Sequence, residues 1–245
     1  MAARFNFDRI ADTYEETRRL PPQVLDWLAE QLAEAFGSGP VLDAGVGTGR
    51  YAEALEARGF QVTGLDVSAR MLGQARARGL RRLVLGDVAA IPFRPASFDH
   101  AIAFGILHFL PNWGEAIREI ARVIRTLVAS TTGGMRDTEV GSRYVSALRA
   151  HGWEAVEQPG LSADGLAQRV SPTLRFPKIV HESEEATDAL IDRFDNRVFT
   201  WQWEIPDGIH AAAMAGLRDA FGGRTFRTTR MWELLVWRAE DLRSL

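Results

Sequence analysis

The stretch Val41-Leu42-Asp43-Ala44-Gly45-Val46-Gly47-Thr48-Gly49-Arg50 constrains this chain more than any other. Two apolar residues and a carboxylate pass straight into three glycines at alternate positions, and helix-like spacing follows. That order predicts a buried parallel strand ending in a tight loop where a ligand meets bare backbone. Glycine tolerates positive φ there and has no Cβ to hold a ligand away. A second carboxylate, Asp66, closes the next strand-like run, Gln61 to Leu65, after the roughly 20 residues that a βαβ unit requires. Together these features predict a site for a nucleoside cofactor.

The spacing narrows the cofactor. A dinucleotide fingerprint would need a third glycine at position 50, which is Arg50. A pyrophosphate seeks helix N–H groups with no anion beside it, whereas a carboxylate at Asp43 suits a ligand with an ammonium group. S-adenosylmethionine has such a group, a sulfonium cation and a ribose diol, but no phosphate. With Asp43 and Asp66 in register, the stretch resembles motif I of the class I S-adenosylmethionine-dependent methyltransferases. An NAD(P)-dependent oxidoreductase on a related fold is the alternative enzyme, and Arg50 speaks against it. A catalytically silent cofactor-binding protein is the other alternative.

A chain of 245 residues fits one α/β domain. A net charge of −3 gives no global attraction to nucleic acid, and no basic run with interleaved aromatics supports a nucleic-acid surface. With no cysteine, thiol catalysis and zinc–thiolate sites are excluded, no metal is expected, and the cytoplasm is the default compartment. No apolar stretch approaches the ~18 residues of a membrane span, so no membrane partner is expected.

The pattern along the chain predicts a doubly wound, mostly parallel, Rossmann-like sheet with helices on both faces and an antiparallel C-terminal strand. A polar helix over Asp8–Arg18 and a helix opened by Pro21-Pro22 and stopped by Gly37 form an N-terminal cap, residues 1–38. The cofactor-binding core is residues 39–132. Its strands run Val41–Asp43, Gln61–Asp66, Arg82–Gly86, Phe98–Phe104 and Leu127–Ser130. Ser68 is an expected N-cap, and Asn112 with Glu115 a capping-box-like start for a helix through Arg125. Residues 133–224 read as a mainly helical substrate-side region, with helices over Thr138–His151, Glu184–Phe194 and Asp207–Phe221 and a mixed segment at Pro172–His181. The final strand is 225–238. The whole reads as a single domain of open oligomeric state.

Four stations fall at the carboxyl ends of successive strands, where open α/β sheets bind ligands. Backbone at Gly45 and Gly47, with Gly49 behind, lies against the methionine part, and Asp43 steers the ammonium. Asp66 accepts from the ribose diol, Asp87 from the adenine amino group, and Val88 N–H donates to the ring. Met71 and Leu107 are suited to flank the adenine, and Phe104 completes the set. Taken singly, Asp66 and Asp87 read equally well as turn or N-cap residues.

Phe7-Asp8-Arg9-Ile10-Ala11-Asp12-Thr13-Tyr14, with Arg18 and Pro21, is similar to the opening segment of the type 11 small-molecule methyltransferase group. Gly86-Asp87, Ile91-Pro92-Phe93, Ser97-Phe98-Asp99 and His108-Phe109-Leu110 resemble its later motifs. The resemblance covers about the first half and implies that Tyr14 and Arg18 are candidate lid contacts near the cofactor's methionine end, Tyr14 reading equally well as a helix-face packing residue. It is loose afterwards, resting on Asn196-Arg197-Val198-Phe199-Thr200-Trp201 and the last strand. That group usually has a Pro-Gly-Gly turn before strand five, whereas Arg125-Thr126 joins helix and strand directly here. A connection of almost no residues is hard to close. Either such joints near 125–126, 134–135 and 223–224 are truly short, or residues are missing there, the second being favoured.

Methyl transfer from a sulfonium is an in-line displacement in which the protein aligns the reactants, excludes water and sometimes removes a proton. His108, beside the expected methyl end, is the candidate base, with a hydrogen-bonded loop histidine as its plain alternative. Trp201 and Trp203 alternate and are candidates for one wall of a substrate pocket, core packing being the other reading. Phe104-Gly105-Ile106-Leu107 differs from the Asn/Asp-Pro-Pro-Tyr of amino-group methylators of bases and glutamine. A small-molecule acceptor is therefore expected.

Overall fold

The computed structural model describes residues 7–18, 20–134, 138–154 and 159–245. They separate into two compact units: Met1–Thr132 with Pro159–Ile179 and Trp232–Leu245, and Gly133–Gln158 with Val180–Met231.

In the first unit, α1 (Tyr14–Thr17) and α2 (Pro22–Phe36) lead into β1 (Pro40–Ala44). Then come α3 (Arg50–Glu56), β2 (Gln61–Asp66), α4 (Ala69–Ala77), β3 (Leu83–Leu85), β4 (Phe98–Ile102), α5 (Trp113–Val123) and β5 (Ile124–Gly134). After the second unit's α6 (Glu139–Ala150), the chain adds α7 (Ala163–Arg169), β6 (Leu174–Arg175) and β7 (Ile179–Ala186). The last strand, β8 (Thr225–Arg238), follows α8 (Thr187–Asp195), α9 (Asp207–Met214) and α10 (Leu217–Phe221), and α11 (Ala239–Leu242) ends the chain.

The strand order is β3-β2-β1-β4-β5-β8-β6, with β7 also paired to β8. Pairings among β1 to β5 are parallel and β6 is antiparallel to β8, the mostly parallel sheet with an antiparallel C-terminal strand that the sequence predicts. Chain order reverses between β1 and β4, which opens a crevice beyond the carboxyl ends of those strands. Strand side chains alternate between faces. Leu42, Ala44, Ala101, Leu235 and Trp237 pack with α5 and α11 on one face, while Val41, Ile102, Leu234 and Val236 pack with α2 and α3 on the other.

Local signals set most helix starts. Pro22 opens α2, Gly37 stops it at φ 68°, and the Ser68 hydroxyl accepts the Met71 N–H at 3.0 Å. The Asn112 side chain does not cap α5; its amide donates to Glu115 Oε2 at 3.0 Å instead. In place of one helix over Asp8–Arg18 there is a 3-10 turn, Phe7–Ile10, and then α1. Tertiary hydrogen bonds take its polar side chains: Ser68 Oγ donates to Asp8 Oδ1 at 2.5 Å, and Arg70 donates to Asp12.

The fifth strand starts three residues earlier than the sequence reading placed it, and α5 runs into it with no loop. A register shift between Phe98 and His100 absorbs the extra residue as an irregularity in the β4–β5 ladder. The carbonyls that a helix end leaves unpaired are answered from elsewhere. Arg243 Nε donates to Ala121 O at 3.2 Å, Ala96 N to Arg122 O at 3.0 Å, and Arg243 Nη2 to Ile124 O at 3.5 Å. The joint near 223–224 is also closed, with Gly223 at φ 71° and its N–H donated to Asp188 Oδ2 at 2.9 Å. Met135 lies outside the described residues.

The second unit packs α6, α8, α9 and α10 around Tyr144, Leu148, Ile191, Phe194 and Leu217. Tyr144 Oη lies 2.6 Å from His210 Nδ1 and accepts Gln202 Nε2 at 3.2 Å. Two readings from sequence change here. Glu184–Ala186 belong to β7, and Gly216 at φ 74° divides Asp207–Phe221 into α9 and α10. No helix among the described residues is long and apolar enough to cross a membrane.

Candidate cofactor-binding site

β1 is the central strand of the crevice, with Asp43 opposite Gly64 of β2 and Ile102 of β4. Asp43 is only 1% exposed, and its Oδ2 is sealed from solvent without a hydrogen-bond partner. Burial, followed by the facing Asp66 carboxylate, pushes its pKa up to about 8. Beyond it the chain folds back over β2, with the N–H groups of Gly45 and Val46 donated to Leu65 O at 2.8 and 3.0 Å.

The three glycines of the loop differ in what surrounds them. A Cβ on Gly45 would strike Ile106, and one on Gly49 would lie 2.4 Å from Leu80 Cδ1, so both serve close packing. Gly47, at φ 55°, has no atom within 4 Å of that direction. Gly105, at the end of β4, is equally open. Only Gly47 of the three therefore turns bare backbone to unfilled space.

Asp66 ties two loops together. Its Oδ2 accepts Gly47 N–H at 2.8 Å and its Oδ1 accepts Ser68 N–H at 2.9 Å. Burial raises its pKa, opposed by these backbone donors. At the end of β3, Asp87 is exposed and accepts Ala89 N–H at 2.9 Å, the turn role that its sequence allowed, while Val88 is buried. At the end of β4, Phe104 packs edge-on to Tyr51 at 4.8 Å. Met71 and Leu107, expected to flank a flat ring, are buried at 2% and 3% exposure.

The N-terminal segment lies against the loop through contacts that the sequence reading did not identify. Glu15 accepts the Thr48 hydroxyl and forms ion pairs with Arg50 at 3.1 Å and Arg78 at 2.9 Å. Arg50 Nη1 donates to Arg18 O at 2.5 Å, and its guanidinium lies 5.3 Å from the Tyr14 ring centroid. The residue that broke the dinucleotide pattern thus anchors the segment bearing Tyr14 and Arg18. Paired charges this far apart in sequence leave no spacing signal.

His108 is partly buried beside Arg18. Burial first, and then the Arg18 charge, lower its pKa to about 4. It is neutral at pH 7 and a weak proton acceptor, far from the match to working pH that a general base needs. Trp201 and Trp203 stand in the second unit on a 3-10 turn, Thr200–Gln202, rather than on one face of a strand. Trp201 stacks with Phe199 at 6.2 Å, and Trp203 Nε1 donates to Arg197 O at 2.9 Å. Trp201 packs against the core of the second unit, and the strand on which the shared-wall expectation was drawn is a 3-10 turn. No group of three or more metal-ligating side chains occurs among the described residues.

The unpartnered Asp43 oxygen, the open Gly47 and the absence of a phosphate-seeking third glycine fit an ammonium-bearing nucleoside. Residues 42–127 match a family model described as a methyltransferase domain. Over these residues the chain is similar to methyltransferase domains. The matched residues include Asp43, the glycine loop, Asp66, Asp87 and His108. The chain is 31% identical over 152 residues to the malonyl-[acyl-carrier protein] O-methyltransferase of Pseudescherichia vulneris, covering 62% of this chain and 58% of that protein. It is 38% identical over 130 residues to the protein of that name from Salmonella typhimurium, covering 51% of each. The chain thus spans about half the length of these curated relatives. A solved structure described as a type II methyltransferase from Anaeromyxobacter dehalogenans is 26% identical, with a TM-score of 0.58 over 90% of this chain and 97% of that one. The matched segment thus coincides with the strands and loops that build the crevice.

Proposed function

We propose that this chain binds S-adenosylmethionine at the carboxyl edge of its first unit and transfers the methyl group to a small acceptor. The observation that carries the reading is the buried, unpartnered Asp43 carboxyl beside the open Gly47 turn, with Asp66 holding that turn. When bound, the cofactor supplies a methyl group on a sulfonium centre. The chain's own part is to bind, orient and exclude water.

Asp43 directs negative charge to the ammonium end. Asp66 uses one lone pair of each oxygen on the loops and keeps others for a ribose diol. Asp87 and Val88 are assigned to the adenine, with Met71, Phe104 and Leu107 forming apolar ground near it. Glu15, Thr48 and Arg50 fix the segment that carries Tyr14 and Arg18 over the methionine end.

A carboxylate is the acceptor class that suits the methyl end. It is already an anion at neutral pH, so it needs no base, and a neutral His108 beside a cationic Arg18 provides none. The named relatives are O-methyltransferases of a malonyl group on an acyl-carrier protein, and a malonyl group ends in a carboxylate. This supports a free or carrier-linked acid here.

Isothermal titration tests the cofactor. Folded protein should bind S-adenosylmethionine or its demethylated product, and Gly47→Val should abolish binding because a branched side chain fills ligand space. Failure of the folded chain to bind either compound sinks the reading. Labelled cofactor with a panel of acids, alcohols and amines tests the acceptor, with base-labile methyl esters the expected product. Methylation confined to alcohols or amines refutes the carboxylate, and a chain that binds without turnover is a silent cofactor-binding protein.

A further inference from the structure

Asp43 is held in conditions that disfavour its charge. It is 1% exposed, Oδ2 has no hydrogen-bond partner, and no ion pair reaches it among the described residues. The groups facing it offer no compensation. From β2 comes another carboxylate, Asp66, and β4 sets only Ile102 opposite. From α3 come Tyr51, whose hydroxyl is kept neutral by burial, and Arg50, whose guanidinium is engaged by Glu15 and the Arg18 carbonyl.

We propose that the empty protein carries a proton on Asp43 and that binding of the cationic cofactor expels it, so that cofactor affinity rises with pH across neutrality. This rests on the cofactor reading above. The exchange balances simply: the carboxyl O–H breaks, the proton passes to buffer, and the carboxylate remains with the cofactor's positive charge beside it. A pKa near 8 keeps the group largely protonated at pH 7. An opposite charge within about 4–6 Å lowers a carboxyl's pKa by about 1–3. Such a lowering brings Asp43 to neutrality or below it. Burial raises the pKa of Asp66 as well, against the backbone N–H groups that it accepts, so the Asp43→Asn variant is what separates the two carboxyls as the source of the proton.

Titration calorimetry at pH 7, with S-adenosylmethionine in phosphate and in Tris, reads the proton directly through the difference in buffer ionisation heat. About 0.4–0.9 proton should be released per cofactor bound, and the association constant should rise about two- to eightfold per pH unit between pH 6 and 7.5. Asp43→Asn should bind more weakly with no proton release. Binding whose heat is independent of buffer overturns the inference and leaves the cofactor reading intact, as does release that persists in Asp43→Asn. Absence of binding in the unmodified protein overturns both. If the variant does not fold, the pH dependence of the native chain decides alone, a flat affinity refuting the proposal.

Discussion

Replacing Asp43 with Asn should stabilise the empty protein at neutral and alkaline pH. Unfolded, the side chain ionises near its ordinary value of 3.8; folded, it ionises near 8. Between these values the folded state holds a proton that the unfolded state has released, so this group's contribution to stability falls as pH rises from about 4 and levels off above 8. At 1.36 kcal/mol per pKa unit, the loss at pH 7 is about 4 kcal/mol. Asn has the same shape and cannot ionise, so it escapes this loss. Its amide gains an unpartnered N–H in the space of Oδ2, which costs about 1–2 kcal/mol. The net gain expected at pH 7 is about 2–3 kcal/mol, or roughly 4–12 °C in Tm for a chain of this size. Below pH 4 only the amide cost remains and the variant should be slightly the weaker protein. Urea denaturation of both chains at pH 4.5, 6, 7 and 8 measures this directly. A difference that does not grow with pH, or a variant weaker at pH 8 than at pH 4.5, refutes the assignment of a buried neutral carboxyl.

Three further outcomes are expected. His108→Ala should lower methyl transfer less than about tenfold, against the 10²–10⁴ expected for loss of a general base, as read from single-turnover rates with labelled cofactor. The same variant should resist acid better. His108 ionises near 4 folded and 6.5 unfolded, so the native chain loses about 2 kcal/mol on going from pH 7 to pH 5. Denaturation at those two pH values should show that loss diminished in the variant. Arg243→Ala uncovers Ala121 O and Ile124 O at the loopless α5–β5 joint and should cost about 1–3 kcal/mol in urea, with cofactor affinity per folded molecule unchanged.

The order of strands and helices in the first half was legible because each strand there is a short apolar run stopped by glycine, aspartate or a capping serine. Those signals are local, and so were Asp43 and Asp66. The α5–β5 joint was not legible, since the groups that close it, Arg243 and Ala96, lie far from it in sequence. The Glu15 contacts were hidden for the same reason. The spacing of Trp201 and Trp203 fits a strand, whereas Gln202 fixes a tight turn there by accepting Phe199 N–H and donating to Phe194 O. His108 was picked out by its motif, but its basicity depends on burial and on Arg18, neither of which a motif contains.

The two hydrogen bonds that Asp66 accepts from Gly47 and Ser68 have an evolutionary consequence. One carboxylate serves as mortar between two loops and as the handle offered to a sugar. A lineage that abandoned methyl transfer would still be held to it, because losing Asp66 would leave two backbone N–H groups to find new partners. The aspartate that makes a sequence look like an enzyme is therefore among the last residues such a lineage would shed. Retention of Asp66 in a divergent descendant marks inherited architecture, and Gly47 is held in a different way, because at φ 55° any side chain would be strained even though the space beside it is open.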